Sequence, residues 1–174
     1  MKNKLESYKL KLNIPLLGGI EAKWKPNDAE KNAAWEMYVE LVTRISVVEL
    51  NEGEGTLSEA LNSLYSLFGT TRNILKKYGP EVAHPQEKDR ISFGKLAVTI
   101  LNYELRPLLT EWHPKLDLYL QKIDQGTSIS EHEAKWEFNK ELRHKLRAAQ
   151  KVLKDYSAIL ARVAKVDLLY DNSK

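Results

Sequence analysis

The chain reads as an all-α protein, an up-down four-helix bundle preceded by a short N-terminal β-hairpin. Three observations carry that reading. Apolar residues alternate with period two over residues 8–25 and then recur in steps of four and three. Four later segments each carry such a stripe, long enough to bury against neighbours. Short links with Gly, Pro or Asn separate them, as antiparallel neighbours require. The division is then a hairpin over 1–26 packed on a bundle over 27–174, one domain in all, which 174 residues can support with a single core.

In the hairpin, Leu10, Leu12 and Ile14 point one way while Lys9, Lys11 and Asn13 point the other. Pro15-Leu16-Leu17-Gly18-Gly19 makes the turn, after which Ile20, Ala22 and Trp24 alternate with Glu21, Lys23 and Lys25. Pro26 ends the second strand. Asn27 or Asp28 caps a helix expected over 28–50, with Trp35, Tyr38, Val39, Leu41, Val42, Ile45 and Val48 inward. Thr56 or Ser58 opens the next, over 56–79, whose stripe is Leu57, Leu61, Leu64, Phe68, Thr71, Leu75 and Tyr78; Gly79-Pro80 stops it.

The third helix, over 89–123, is apolar on nearly every side and should be the most buried. Gly94, Val98, Leu101, Leu105, Leu108 and Trp112 form its stripe. Pro107 should kink it, and Pro114 predicts a bend or break at His113. Ser130 with Glu133 makes a capping box for the last helix, over 130–166, with Leu142, Leu146, Ala149, Leu153, Tyr156, Leu160 and Val163 inward.

Composition narrows the chemistry. There is no cysteine, which excludes disulfides, thiolate catalysis and cysteine-ligated metals. No signal-peptide pattern and no apolar stretch long enough for a bilayer are present, so a cytoplasmic protein with no membrane contact is expected. Net charge is +3 but uneven: residues 1–26 hold six Lys against two Glu, and residues 131–174 ten bases against seven acids. Residues 27–60 are acidic. Such asymmetry suits a homo-oligomer, here a homodimer, or a dedicated protein partner.

The third helix also carries the residues closest to chemistry. Asn102, Arg106 and His113 follow a four-then-seven spacing and share one stripe. An Arg that stabilises phosphate charge and a His that moves a proton would serve RNA cleavage, with Asn102 in support. A structural reading also fits: Arg106 buried and paired across the bundle, His113 closing a broken helix. The run Arg106-Pro107-Leu108-Leu109-Thr110-Glu111-Trp112-His113 resembles the motif of the HEPN superfamily, the higher eukaryotes and prokaryotes nucleotide-binding domains, in which His follows Arg after four to six residues. That resemblance implies a helical bundle, a dimeric RNase and a role in bacterial antiviral defence, with Arg106 and His113 catalytic. Pro107 departs from the small polar residue the family favours after the Arg.

A second candidate is the basic stripe of Lys140, Arg143, Arg147, Lys151 and Lys154, which could follow a phosphate backbone or form an ordinary solvated face beside Glu133, Glu137 and Glu141. His84, His113, His132 and His144 are scattered without metal-ligand spacing, so no metal and no cofactor is expected. The hairpin's outer edges could accept a strand from a partner. Two functions follow: a non-catalytic bundle acting through protein contacts, as a homo-oligomer or as a subunit of a larger bacterial assembly, or a HEPN-like RNase using Arg106 and His113.

Overall fold

The computed structural model describes residues 7–44, 54–85 and 90–169. It is mostly helical with a small mixed sheet at its N-terminal end, which corrects the all-α expectation. Strands β1 (Tyr8–Ile14) and β2 (Gly18–Trp24) pair antiparallel, Tyr8 opposite Trp24 through Ile14 opposite Gly18. The hairpin does not stand alone. A two-residue strand β3 (Arg90–Ile91) adds to β2 in parallel, so the sheet runs β1-β2-β3. Its apolar face (Leu10, Leu12, Ile14 and Trp24) joins the helices in one core cluster.

Helix α1 (Asp28–Val42) begins with the expected Asn27 cap and a capping box closed by Glu30. The expected stretch beyond Arg44, including Ile45 and Val48, lies outside the described residues, as do residues 86–89. Trp35, expected inward, is substantially exposed. Helix α2 (Leu57–Tyr78) starts at the Thr56 cap and buries Leu57, Leu61, Leu64 and Thr71 as its stripe requires.

The expected third helix is three pieces. Helix α3 (Phe93–Ile100) starts at Ser92, whose hydroxyl caps Lys95 N and donates to Ala83 O at 3.0 Å. A π-helical turn (Leu101–Leu105) follows, and then α4 (Arg106–Leu120). The Arg106 N–H bonds Leu101 O, five residues back. This wider turn sits where Pro107, without an N–H, cannot continue the regular ladder. Each π turn inserts one residue into the helical phase. Leu96, Ala97 and Ile100 therefore face the core before it, and Leu105, Leu108, Leu109 and Trp112 after it, while Val98 turns outward. The break expected at His113–Pro114 is absent: α4 runs through Pro114, which lies on the exposed side of the helix.

The last expected helix also divides, into α5 (Ile129–Ala134) and α6 (Asn139–Ala164). Its capping box is Ser128 with Glu131, not Ser130 with Glu133. Helix α6 buries every residue of its predicted stripe. It packs on α1 and β1, α1 packs on α2, and α2 packs on α4.

Two buried glutamates pin these elements. Glu30 (1% exposed) accepts from Trp24 Nε1 at 3.0 Å, Asn27 N at 3.0 Å and Phe93 N at 2.9 Å, tying β2, α1 and the start of α3 together. Burial pushes its carboxyl pKa up, against the pull of those three donors. Glu133 (1% exposed) reaches from α5 to the first turn of α2, accepting from Leu57 N at 2.6 Å and Ser58 N at 3.0 Å. A carboxylate there meets both the orphan N–H groups and the positive end of the helix dipole.

Candidate functional site

A groove between α2 and α4 holds one of the residues singled out from the sequence, Arg106, with Asn102 and His113 outside its lining. Its floor is Phe68 and Leu109, and Tyr65, Ser66, Gly69, Arg72, Arg106 and Thr110 complete a lining around about 620 Å³. Arg106 is exposed, which corrects the expectation of a buried guanidinium with a carboxylate partner. Its Nε donates to Asn102 Oδ1 at 3.1 Å, one turn earlier, and its guanidinium carbon lies 5.3 Å from the centre of the Phe68 ring. Asn102 thus orients Arg106, while the ring beneath holds the cation at the groove's rim.

His113 is half-buried, two turns further along α4, roughly 10 Å by helix rise. Its Nε2 lies 3.1 Å from Asn62 Oδ1 on α2, and its ring centre is 6.0 Å from that of Tyr65. With the proton on Nε2 the ring donates to Asn62, which leaves Nδ1 as the acceptor. Arg106 and His113 therefore both face α2, Arg106 over Phe68 and His113 beside Tyr65. Chemically, the groove offers two guanidinium groups to an anion and an aromatic ring for stacking, while the imidazole of His113 lies outside its lining, against Tyr65 and Asn62.

Sequence reasoning missed the α2 half. Tyr65, Gly69 and Arg72 stand at four- and three-residue steps, the signature used elsewhere to find stripes, but they fall on the polar side of the helix pattern. Tyr65 is 62% exposed. A Cβ built at Gly69 meets nothing within 4 Å, so this residue leaves the groove open. Glu104, half-buried in the π turn between Asn102 and Arg106, was also passed over. Burial pushes its pKa up.

The basic stripe lies elsewhere, along α6. Lys140, Arg147, Lys151 and Lys154 are exposed. Arg143 has a structural tie instead: it donates to Asn139 Oδ1 at 3.2 Å and to the carbonyls of Glu54 and Gly55 at 3.3 and 3.4 Å, holding the approach to α2. On the acidic side, Glu40 pairs with Arg44 at 2.6 Å, and Glu36 pairs with Lys77 and accepts from Tyr78 Oη at 2.5 Å. Glu36 and Glu40 of α1 are therefore matched within the chain.

No family model, curated protein or solved structure matches this chain. Among the described residues, no helix is long and apolar enough to cross a membrane.

Proposed function

We propose that this protein is a non-catalytic helical bundle that acts through protein contacts, as a homodimer or as a subunit of a larger assembly. The observation that carries this reading is the makeup of the α2/α4 groove. An exposed Tyr65 and two arginines rim an apolar floor of Phe68 and Leu109, and Tyr and Arg over a desolvatable pocket are the residue types that anchor protein interfaces. The floor is open at Gly69, so an incoming side chain has a place to sit. Arg72 and Arg106 favour a partner segment that carries a carboxylate beside its apolar anchor. The packing of α1 on α2 and α6, and of α2 on α4, supports an up-down four-helix arrangement as the frame. A cysteine-free chain is suited to the reducing cytoplasm.

The test is to fill and reverse the groove. Gly69→Leu and Arg106→Glu should each weaken association by about tenfold or more in sedimentation equilibrium with the partner or with itself. Full association by both variants refutes the reading.

A second reading, a HEPN-like RNase of a defence system, is favoured by one observation: Arg106 and His113 both stand on the side of α4 toward α2, Arg106 in the groove and His113 beside it against Asn62. One chain supplies a single imidazole there, so a second subunit would complete the acid–base pair. On this reading Arg106→Ala and His113→Ala abolish RNA cleavage with the fold intact, and reversing Arg147 and Lys151 weakens RNA binding and flattens its salt dependence. Absence of RNA turnover by the unaltered protein, with no RNA retained at low salt, discards it.

A further inference from the structure

The basic stripe of α6 is not uniform in its surroundings. Lys140, Arg143 and Arg147, at three- and four-residue steps on one face, line a concave pocket of about 470 Å³ between α5 and the start of α6. Lys151 and Lys154 lie outside its lining. Ser130 of α5, with Trp136 and Glu137 of the connecting turn, forms the facing wall. A concavity of this size suits a small ligand or the end of a larger one.

Arg143 is fixed in that wall. Asn139 donates to Glu133 O at 2.8 Å and accepts from Arg143 Nε at 3.2 Å, while the terminal nitrogens of Arg143 donate to the carbonyls of Glu54 and Gly55. These acceptors of the Arg143 guanidinium are neutral, so it is held in place without its charge being cancelled. The carboxylates that would make this an ordinary solvated face are not engaged with it. Glu133 is committed to Leu57 N and Ser58 N, and among the described residues no ion pair joins Lys140, Arg143 or Arg147 to a carboxylate. Glu137 lines the same pocket, which leaves three cations around one carboxylate. Like charges three and four residues apart destabilise a helix, so the cluster costs stability until an anion occupies it.

We propose that this pocket binds a phosphomonoester, the terminal phosphate of a small metabolite or of an oligonucleotide. The excess of positive charge matches that group, which carries about −1.5 to −2 at neutral pH. A guanidinium already held in position donates to phosphate oxygens at little ordering cost, and Lys140 and Arg147 flank it one turn away on either side. The concavity favours a terminal phosphate over a strand, because an internal phosphodiester has one charge and chain on both sides. The site is separate from the α2/α4 groove and rests on neither function read from it.

The full chain is titrated by isothermal titration calorimetry at physiological salt, where distant surface charges are screened. The probes are AMP, adenosine, and one oligoribonucleotide made with a 5′-phosphate and with a 5′-hydroxyl. AMP is expected to bind and adenosine to fail. Binding of AMP alone identifies a small metabolite as the source, and a 5′-phosphorylated oligonucleotide that binds about tenfold or more above its hydroxyl form identifies an oligonucleotide end. Lys140→Glu and Arg147→Glu should each weaken binding of the phosphorylated probe about tenfold or more. Lys145→Glu makes the same charge change at an exposed position outside the lining and should leave affinity within about twofold. Unchanged circular dichroism and melting confirm that the variants keep the fold. Four results overturn the proposal: no binding of either phosphorylated probe, adenosine binding as well as AMP, the hydroxyl oligonucleotide binding as well as the phosphorylated one, or Lys140→Glu and Arg147→Glu losing no more than Lys145→Glu.

Discussion

Replacing Glu30 with Ala removes one carboxylate and leaves three donors without an acceptor: the Trp24 indole N–H and the backbone N–H groups of Asn27 and Phe93. Two of those bonds are buried and the third is partly so. An orphaned buried donor costs about 1–3 kcal/mol, so the gross loss for three is about 3–9 kcal/mol. Against it stands relief of the burial that raises the Glu30 pKa, together with partial hydration of Asn27 N. A net destabilisation of about 3 kcal/mol is expected, which for a chain of this length lowers Tm by about 6–12 °C. Thermal melts by circular dichroism and urea titration by tryptophan fluorescence measure it. The pH dependence supplies a second check. A carboxyl with a raised folded pKa contributes stability that is fully present below its unfolded pKa and is lost as pH rises through the folded one. The advantage of the unaltered protein over E30Q should therefore shrink from mildly acidic to neutral pH. An unchanged Tm in the Ala variant would show that the three-way node does not hold β2, α1 and α3 together.

Three further outcomes follow from the same contacts. Glu133→Gln keeps one acceptor oxygen for two donors and should cost about 1–2 kcal/mol, with faster amide exchange confined to the first turn of α2. Gly94→Ala should destabilise by about 1–3 kcal/mol, because its Cβ would lie 3.1 Å from Val82 O and 3.3 Å from Ala83 Cα, both backbone atoms that cannot swing aside. Gly69→Ala, in open space within a helix, should instead stabilise by up to about 1 kcal/mol; the two alanine variants melting in the same direction would contradict this account of the glycines.

The elements readable in advance were those whose own sequence decides their burial. Helix α6 buries the entire predicted stripe from Leu142 to Val163, and β1 and β2 follow their alternation residue by residue. Elements decided by distant contacts were not readable. Strand β3 is two residues long, too short for a period to register, and exists because Lys23 and Trp24 offer it an edge. The last cap is the clearest case. Ser128-Ile129-Ser130-Glu131 and Ser130-Glu131-His132-Glu133 are overlapping capping boxes, equivalent as local signals. What separates them is that Glu133 is committed to Leu57 and Ser58, more than seventy residues away, and so cannot close a box of its own.

The same reasoning explains why Arg106 and His113 were found while their setting was not. A seven-residue spacing places two side chains on one face of any helix, whatever surrounds it. Which face becomes a groove depends on phase, and here the π turn sets the phase. Uninterrupted α-helical geometry from Phe93 would carry the inward stripe of Leu96 and Ile100 on through later turns at its original angle. One extra residue between Leu101 and Leu105 rotates everything beyond it by about 100°. After that rotation Leu105 and Leu108 are inward, and Arg106 is outward over Phe68. Pro107 favours the wider turn by removing the N–H that regular pairing would use. Pro107 is therefore tied to the direction in which the neighbouring Arg106 faces, over Phe68 of α2, and it makes the groove a property of backbone geometry as much as of side chains.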